Sequence, residues 1–195
     1  RATGFFDVVA YTGDGTPNNG YRDVEHNLAV QPEMIILKRR DTTSEWTVNH
    51  KGYGAGWLNL TNSWDDYPVN GFTHNDAFTA TTFSAKAAAE WNFNVSGATY
   101  IAYLFATLAG VSKVGSYTGT GADLNVDCGF SAGARFILIK RTDDTGDWYV
   151  YDSARGIVAG NDPYLLLNTT AAEVTSTDYI DPLSSGFTVT SSAPA

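Results

Sequence analysis

One cysteine, Cys128, and three histidines, His26, His50 and His74, are the whole supply of thiol and imidazole in 195 residues. A lone thiol forms no internal disulfide and no cysteine metal cluster, and Cys128 is read as a buried free thiol. The histidines share no metal-ligand spacing such as HxxxH and are read as surface or loop residues. Long apolar runs are also missing: Tyr100 to Gly110 falls short of the roughly 20 residues a spanning helix needs, so no membrane span is expected. The first residues, RATGFFDVVAYTG, lack the charged, apolar and cleavage regions of a signal peptide.

Positive charge is scarce. The net charge is −9 and the pI about 4.6, so a phosphate backbone is repelled and nucleic acid is set aside as a partner. Helix formers gather only in AKAAAEW, Ala85 to Trp91, about seven residues that cannot hold a helix alone; a single helical turn or a loop is expected there. No G-x-S-x-G elbow exists. The glycine-rich GDGTPNNG and YTGTGAD lack the Lys-Ser/Thr pair and amphipathic helix of a phosphate loop, and read as turns.

What the chain does have is 11 Tyr, 10 Phe, 5 Trp and 19 Gly, a mixture that favours pleated, turn-rich structure. It also repeats itself. KRRDTTSEWTV, Lys38 to Val48, returns as KRTDDTGDWYV, Lys140 to Val150, with six of eleven positions identical. VVAYTGDG at Val8 returns as VGSYTGTG at Val114, MIILKR at Met34 as FILIKR at Phe136, and WLNLTN at Trp57 more loosely as YLLLNT at Tyr164. TTFSA at Thr81 corresponds weakly to SGFTVT at Ser185. Blocks in the same order with loops of different length read as a tandem duplication of a unit of about 105 residues.

Each unit reads as short strands separated by Gly, Asn, Asp and Thr clusters, the pattern of a sandwich or barrel. The predicted fold is all-β: two tandem, sequence-related antiparallel β-sandwich units packed together, residues 1–110 and 111–195. The quoted block predicts a hairpin, with Gly146 placed in the left-handed position of the second loop. Asn94 to Gly110 alternates as a core strand, but the second unit has no counterpart to it after TVTSSAPA. Either the second unit is cut short there, or the open edge is filled by another chain or by the N-terminal strand, because an unpaired edge invites pairing.

Duplication sorts the candidate residues. Those present in both copies, Tyr11 and Tyr117, Lys38 and Lys140, Arg39 and Arg141, Trp46 and Trp148, are assigned to the shared fold, with the Lys and Arg stems over the tryptophan faces. Residues of one copy only are the candidates for a specialised task. The richest such stretch is Tyr53 to Phe78, where Trp64, Asp65, Asp66, Tyr67, Asn70 and Asn75 suit a sugar-binding surface: rings stack on a pyranose and carboxylates and amides bond its hydroxyls. The plain alternative is a loop packed on a neighbouring subunit. The aspartates of SWDDY, of TDDTGD (Asp143, Asp144, Asp147) and of STDYIDP (Asp178, Asp181) are read as turn residues, with calcium as the weaker reading and no other cofactor or metal expected.

The succession FDVVAYTGDGT, PEMIILKRR, SGATYIAYLFA, GVSKVGSYTGTG, RFILIKRTDDTGDWYVYDSARG, DPYLLLN and GFTV resembles a duplicated domain of unknown function found in tail-fibre-like and other virion proteins of marine and cyanobacterial phages. The resemblance covers nearly the whole chain and implies a virion surface component with a lectin-like or jelly-roll sandwich. Members of that family usually continue past the position of Ser192 with a strand this sequence lacks. No catalytic residues come with the resemblance. The function expected is therefore non-enzymatic: a tail fibre or appendage domain exposed on the particle, homo-oligomeric, contacting other virion proteins and attaching to host-surface glycans. A purely structural capsid or tail decoration is the main alternative, and a glycan-degrading enzyme, which needs two carboxylates about 5 to 10 Å apart, the lesser one.

Overall fold

Side chains that alternate between one face and the other build this molecule, and every strand pair among the described residues is antiparallel. The computed structural model describes residues 2–16, 20–53, 56–63, 78–88 and 91–194. The chain divides into two units, Arg1–Leu108 and Ala109–Ala195. No α-helix occurs among the described residues, and a single 3-10 turn spans Lys51–Tyr53.

Unit 1 contains β1 (Phe6–Thr12), β2 (Tyr21–Glu25), β3 (Met34–Arg39), β4 (Trp46–His50), β5 (Leu58–Asn59), β6 (Thr82–Ala88), β7 (Trp91–Asn92) and β8 (Thr99–Phe105). They form a five-stranded sheet in the order β1-β8-β3-β4-β5 and a three-stranded sheet β2-β6-β7. The anticipated core strand is β8, central between β1 and β3. Its Tyr100, Ala102 and Leu104 are fully buried while the intervening Ile101 and Tyr103 are half-buried, the period of two that a strand with one inward face requires. Ile35 and Leu37 of β3 meet Val24, Phe83 and Ala85 of the smaller sheet in one core. Burying one such side chain is worth about 1.5–3 kcal/mol, so this interior is the main source of the unit's stability.

Unit 2 contains β9 (Leu124–Asp127), β10 (Phe136–Lys140), β11 (Trp148–Asp152), β12 (Leu165–Leu166), β13 (Ile180–Leu183) and β14 (Gly186–Val189). Two three-stranded sheets result, β10-β11-β12 and β13-β14-β9. The core gathers Ile137, Tyr151, Tyr164, Ile180 and Phe187.

The repeated sequence blocks have repeated geometry. Lys38 lies opposite Trp46 and Ile36 opposite Val48 in the β3–β4 hairpin; Lys140 lies opposite Trp148 and Leu138 opposite Val150 in β10–β11. Lys38 Nζ donates to the Arg39 carbonyl (2.8 Å) and Lys140 Nζ to the Arg141 carbonyl (2.7 Å). In the other sheets Val24 faces Phe83 and Val126 faces Phe187, and the next pairs are bridged alike: Ser84 Oγ donates to Asp23 (2.7 Å) and Thr188 Oγ1 to Asn125 (2.8 Å).

Three expectations are corrected. Ala85 to Ala88 belong to β6 and not to a helical turn or loop, because pairing of Thr82–Lys86 with β2 supplies backbone partners that a seven-residue helix could not match. Gly146 is not left-handed; a Cβ there would sit 3.0 Å from the Arg141 side chain, so the need is for space. The N-terminal strand does not complete the second unit, since β1 pairs with β8 in the first.

Gly13, in the first Tyr-Thr-Gly-x-Gly turn, shows how tightly that turn is held. Its N–H donates to the Ala98 carbonyl (2.8 Å) and its carbonyl accepts from Gly97 N–H (2.9 Å). A Cβ at Gly13 would lie 2.1 Å from the Val95 carbonyl oxygen, and only backbone movement could relieve that. Gly13→Ala is accordingly expected to lower the stability of unit 1 by about 1–3 kcal/mol, read as a reduced denaturant midpoint with an unchanged slope. An unaltered midpoint would refute the tight approach.

Candidate functional site

The six residues singled out for sugar binding, Trp64, Asp65, Asp66, Tyr67, Asn70 and Asn75, lie outside the described residues, as does His74. The remaining candidates are placed, and most act as fold elements. Trp148 is buried and Trp46 half-buried, stacked with Tyr103 at 6.3 Å between centroids. Tyr11 is buried, stacks on Tyr100 (4.9 Å, 13° between planes) and donates its hydroxyl to the Phe93 carbonyl (2.8 Å). Burial, with the Tyr100 ring hydroxyl beside it, pushes the Tyr11 phenol far above its ordinary value, so it stays protonated and donating.

Arg39 grips Asp41 with Nε and Nη2 (2.9 and 2.8 Å), a bidentate pair, and Arg141 Nε reaches Asp143 (2.8 Å) in the matching loop. These hydrogen bonds from arginine hold both carboxyls below the usual carboxylate range. Lys38 Nζ also bonds Ser44 Oγ (2.9 Å).

The aspartate clusters do not converge. Asp143 and Asp144 both turn to Arg141, whereas Asp147 accepts from Asn168 Nδ2 (2.7 Å). Asp181 accepts from Gly160 N–H (3.2 Å). Asp14 caps its own turn: hydrogen bonds from the Thr16 hydroxyl, Asn94 and the Thr16 amide bring its carboxyl down to about 2. Among the described residues no three His, Cys, Asp or Glu side chains gather in a way that could hold a metal ion.

Sequence reasoning missed two places. The first is a tyrosine cluster in unit 2. Tyr149 and Tyr151 stack along β11 (6.5 Å, 11°), Tyr164 approaches both (5.2 and 5.8 Å), and Tyr179 stacks on Tyr164 (5.7 Å, 23°). Tyr151 and Tyr164 are buried, Tyr149 and Tyr179 half-buried. Burial raises the phenol of Tyr149, and the Asp147 carboxylate beside it raises it further; burial likewise raises Tyr164. The result is a protonated, largely buried ring cluster with a carboxylate beside it. By register with β4, Tyr149 and Tyr151 stand where unit 1 has Thr47 and Asn49, so the signal was a difference between the two similar sequence blocks at two alternate positions of one strand. The second is Asp162, fully buried, whose oxygens accept the amides of Val158 (3.3 Å) and Ile180 (3.0 Å) and tie the preceding loop to β13; burial raises its carboxyl pKa.

Two single-residue expectations change. His26 sits in a loop as anticipated but is buried rather than on the surface, lying over Phe83 (6.5 Å, 19°). Cys128 is a free thiol, half-buried, and burial raises its pKa.

His26 Nδ1 accepts the Leu28 amide (3.2 Å), which requires that nitrogen to be unprotonated. Burial lowers its pKa from the ordinary 6.5, against the opposing pull of the Asp7 carboxylate. A folded-state pKa below the unfolded one gives stability that is full above about 6.5 and declines as pH falls from there toward the folded value. The arginine- and hydroxyl-bonded carboxylates lose their contributions only below about pH 4. Thermal unfolding between pH 7.5 and 5.5 is therefore expected to show a falling Tm that His26→Gln flattens; an equally steep fall in the variant would assign the effect elsewhere.

No curated protein and no solved structure matches the chain. Residues 1–195, the complete span, match the family model described as "Domain of unknown function (DUF7483)", and the chain belongs to that family.

Proposed function

We propose that this protein is a non-enzymatic surface domain that attaches to glycans, built as lectin-like β-sandwich units that arose by duplication, and that it serves as a tail fibre or appendage component of a phage virion. The virion setting rests on the sequence resemblance. The observation that carries the binding reading is the tyrosine cluster of unit 2, where Tyr149 and Tyr179 are half-buried rings backed by buried Tyr151 and Tyr164. Rings whose rotation is limited by neighbours offer apolar area at low entropic cost, and a pyranose presents a matching C–H face. The Asp147 carboxylate, held by Asn168, is the acceptor beside the rings for a sugar hydroxyl. Weak single contacts of this kind gain strength when several copies bind together, which favours oligomeric display.

Three described aspartates of unit 2 favour a binding task over hydrolysis. Asp143, Asp147 and Asp152 are each engaged by a neighbouring donor: Arg141, Asn168 and the Ala154 and Arg155 amides. A glycosidase instead needs two carboxyls facing one substrate across a cleft.

The test is a glycan array probed with the whole protein, followed by titration calorimetry on the best hit. Tyr149→Ala and Tyr179→Ala are each expected to weaken binding about tenfold while the far-ultraviolet spectrum is retained. An array without hits, or binding that survives both substitutions, would shift the assignment to a structural decoration protein or to the stretch around Trp64.

A further inference from the structure

Among the described residues β1 is the longest strand with a partner on one side only: seven residues, Phe6–Thr12, at the end of the five-stranded sheet. The Gly13 amide donates to the Ala98 carbonyl (2.8 Å) and the Ala106 amide to the Phe5 carbonyl (2.9 Å), so the odd-numbered residues turn their backbone groups to β8. Strand alternation then points those of Phe6, Val8, Ala10 and Thr12 away from β8, along the outer edge. Phe6 exchanges bonds with Ala2 (2.8 and 3.0 Å), which closes that end. At the other end the Thr12 carbonyl accepts from Arg22 Nη1, and a carbonyl has a second lone pair to offer. Val8, Ala10 and Thr12 are all exposed.

This edge lacks the features that keep such strands apart. β2, the edge of the smaller sheet, carries exposed Asp23 and Glu25, charges of the kind that discourage strand addition. Val8 to Thr12 has neither a charge nor a proline, although the chain as a whole carries −9. The ends of the edge limit what can pair with it. Ala2 fills the position beside Phe6, so an added strand runs opposite Val8–Thr12 and must turn away where it would meet Ala2. β1 itself meets that description, because its own straight course ends at Thr12 and the Gly13 turn. A second β1 centred on Ala10 brings its turn to Ala2, whereas one centred on Val9 would drive its Thr12 into Ala2.

We propose that β1 pairs with β1 of a second copy of this chain, antiparallel across a two-fold axis at Ala10. Val8 of each copy then lies opposite Thr12 of the other, about six backbone hydrogen bonds form, and the two five-stranded sheets join into one. The small Ala10 side chains meet at the axis, and the flanking Val–Thr pairs are of the β-branched kind that sheets favour. A two-fold contact is self-complementary, so it closes at two copies and does not propagate. The acidic charge of each copy opposes association, so pairing strengthens as salt is added. The contact involves unit 1 alone and holds whether or not the tyrosine cluster of unit 2 binds glycans.

The experiment is sedimentation of the whole chain over a range of concentrations, with hydrogen exchange measured on dilute and concentrated samples. The expected result is a concentration-dependent dimer in which exchange at Val8 and Ala10 slows at least about fivefold relative to the monomer. Ala10→Lys and Ala10→Asp each set like charges opposite one another at the axis and are expected to weaken dimerisation at least about fivefold. An equal mixture of the two variants restores the dimer, an outcome that misfolding could not produce. Should either variant fail to fold, Val8→Pro, which removes an outward donor and none directed at β8, is expected to weaken the dimer in their place. The proposal is overturned if the chain stays monomeric up to about 1 mM, or if it dimerises while Val8 and Ala10 exchange as in the monomer. It is equally overturned if the mixed Ala10 variants stay apart, or if Val8→Pro, used in their place, dimerises normally.

Discussion

A strand with partners on both sides is the constraint on which the first unit depends. Once β8 lies between β1 and β3, its amides and carbonyls have protein partners on either side, so a strand can run through the middle of the fold without stranding polar groups. Burial then becomes complete: Tyr100, Ala102 and Leu104 have no exposed surface. Tyr100 contributes twice over, stacking on Tyr11 and accepting the Val95 amide at its hydroxyl (3.1 Å), which closes the turn that delivers the chain into β8. Gly13 and Gly97 bond each other across that same closure.

Unit 2 fills a similar frame with different side chains. Unit 2 keeps the hairpin, the Lys-to-carbonyl bond at its loop, the arginine–aspartate pair and the Val–Phe pairing of its smaller sheet. Its interior is furnished with tyrosine where unit 1 uses leucine, tryptophan and phenylalanine. Tyrosine tolerates a half-wet core because its ring packs while its hydroxyl finds a partner or water.

The acidic charge is spent locally. Aspartates close turns on backbone amides, as at Asp14, Asp127 and Asp152, or pair with a nearby arginine, as at Asp41 and Asp143. Exposed pairs of this kind add little to stability; their value is in fixing loop shape. Arg39–Asp41 illustrates it, since the carboxylate oriented by arginine is the one that meets the first amide of β8.

Local pattern was enough for the hairpins and for β8, because period-two burial is written in adjacent residues: Ile35 and Leu37 point one way and Ile36 the other. The glycine-rich Tyr-Thr-Gly-x-Gly blocks were legible as turns, and within them Gly15 and Gly121 adopt positive φ (69° and 74°). Composition pointed to the all-β class, and among the described residues no helix is long and apolar enough to cross a membrane. Local pattern failed where distant segments decide. Ala85 to Ala88 look helical until β2 pairs with them, and His26 looks exposed until Phe83 covers it. The tyrosine cluster unites residues 149, 151, 164 and 179, whose rings meet only after β11, β12 and β13 are assembled. Sequence by itself determined which residues alternate and where the chain turns, since both are properties of neighbours. Tertiary structure alone decided which strand edges are covered and which rings touch, because those depend on contacts between residues far apart in the chain.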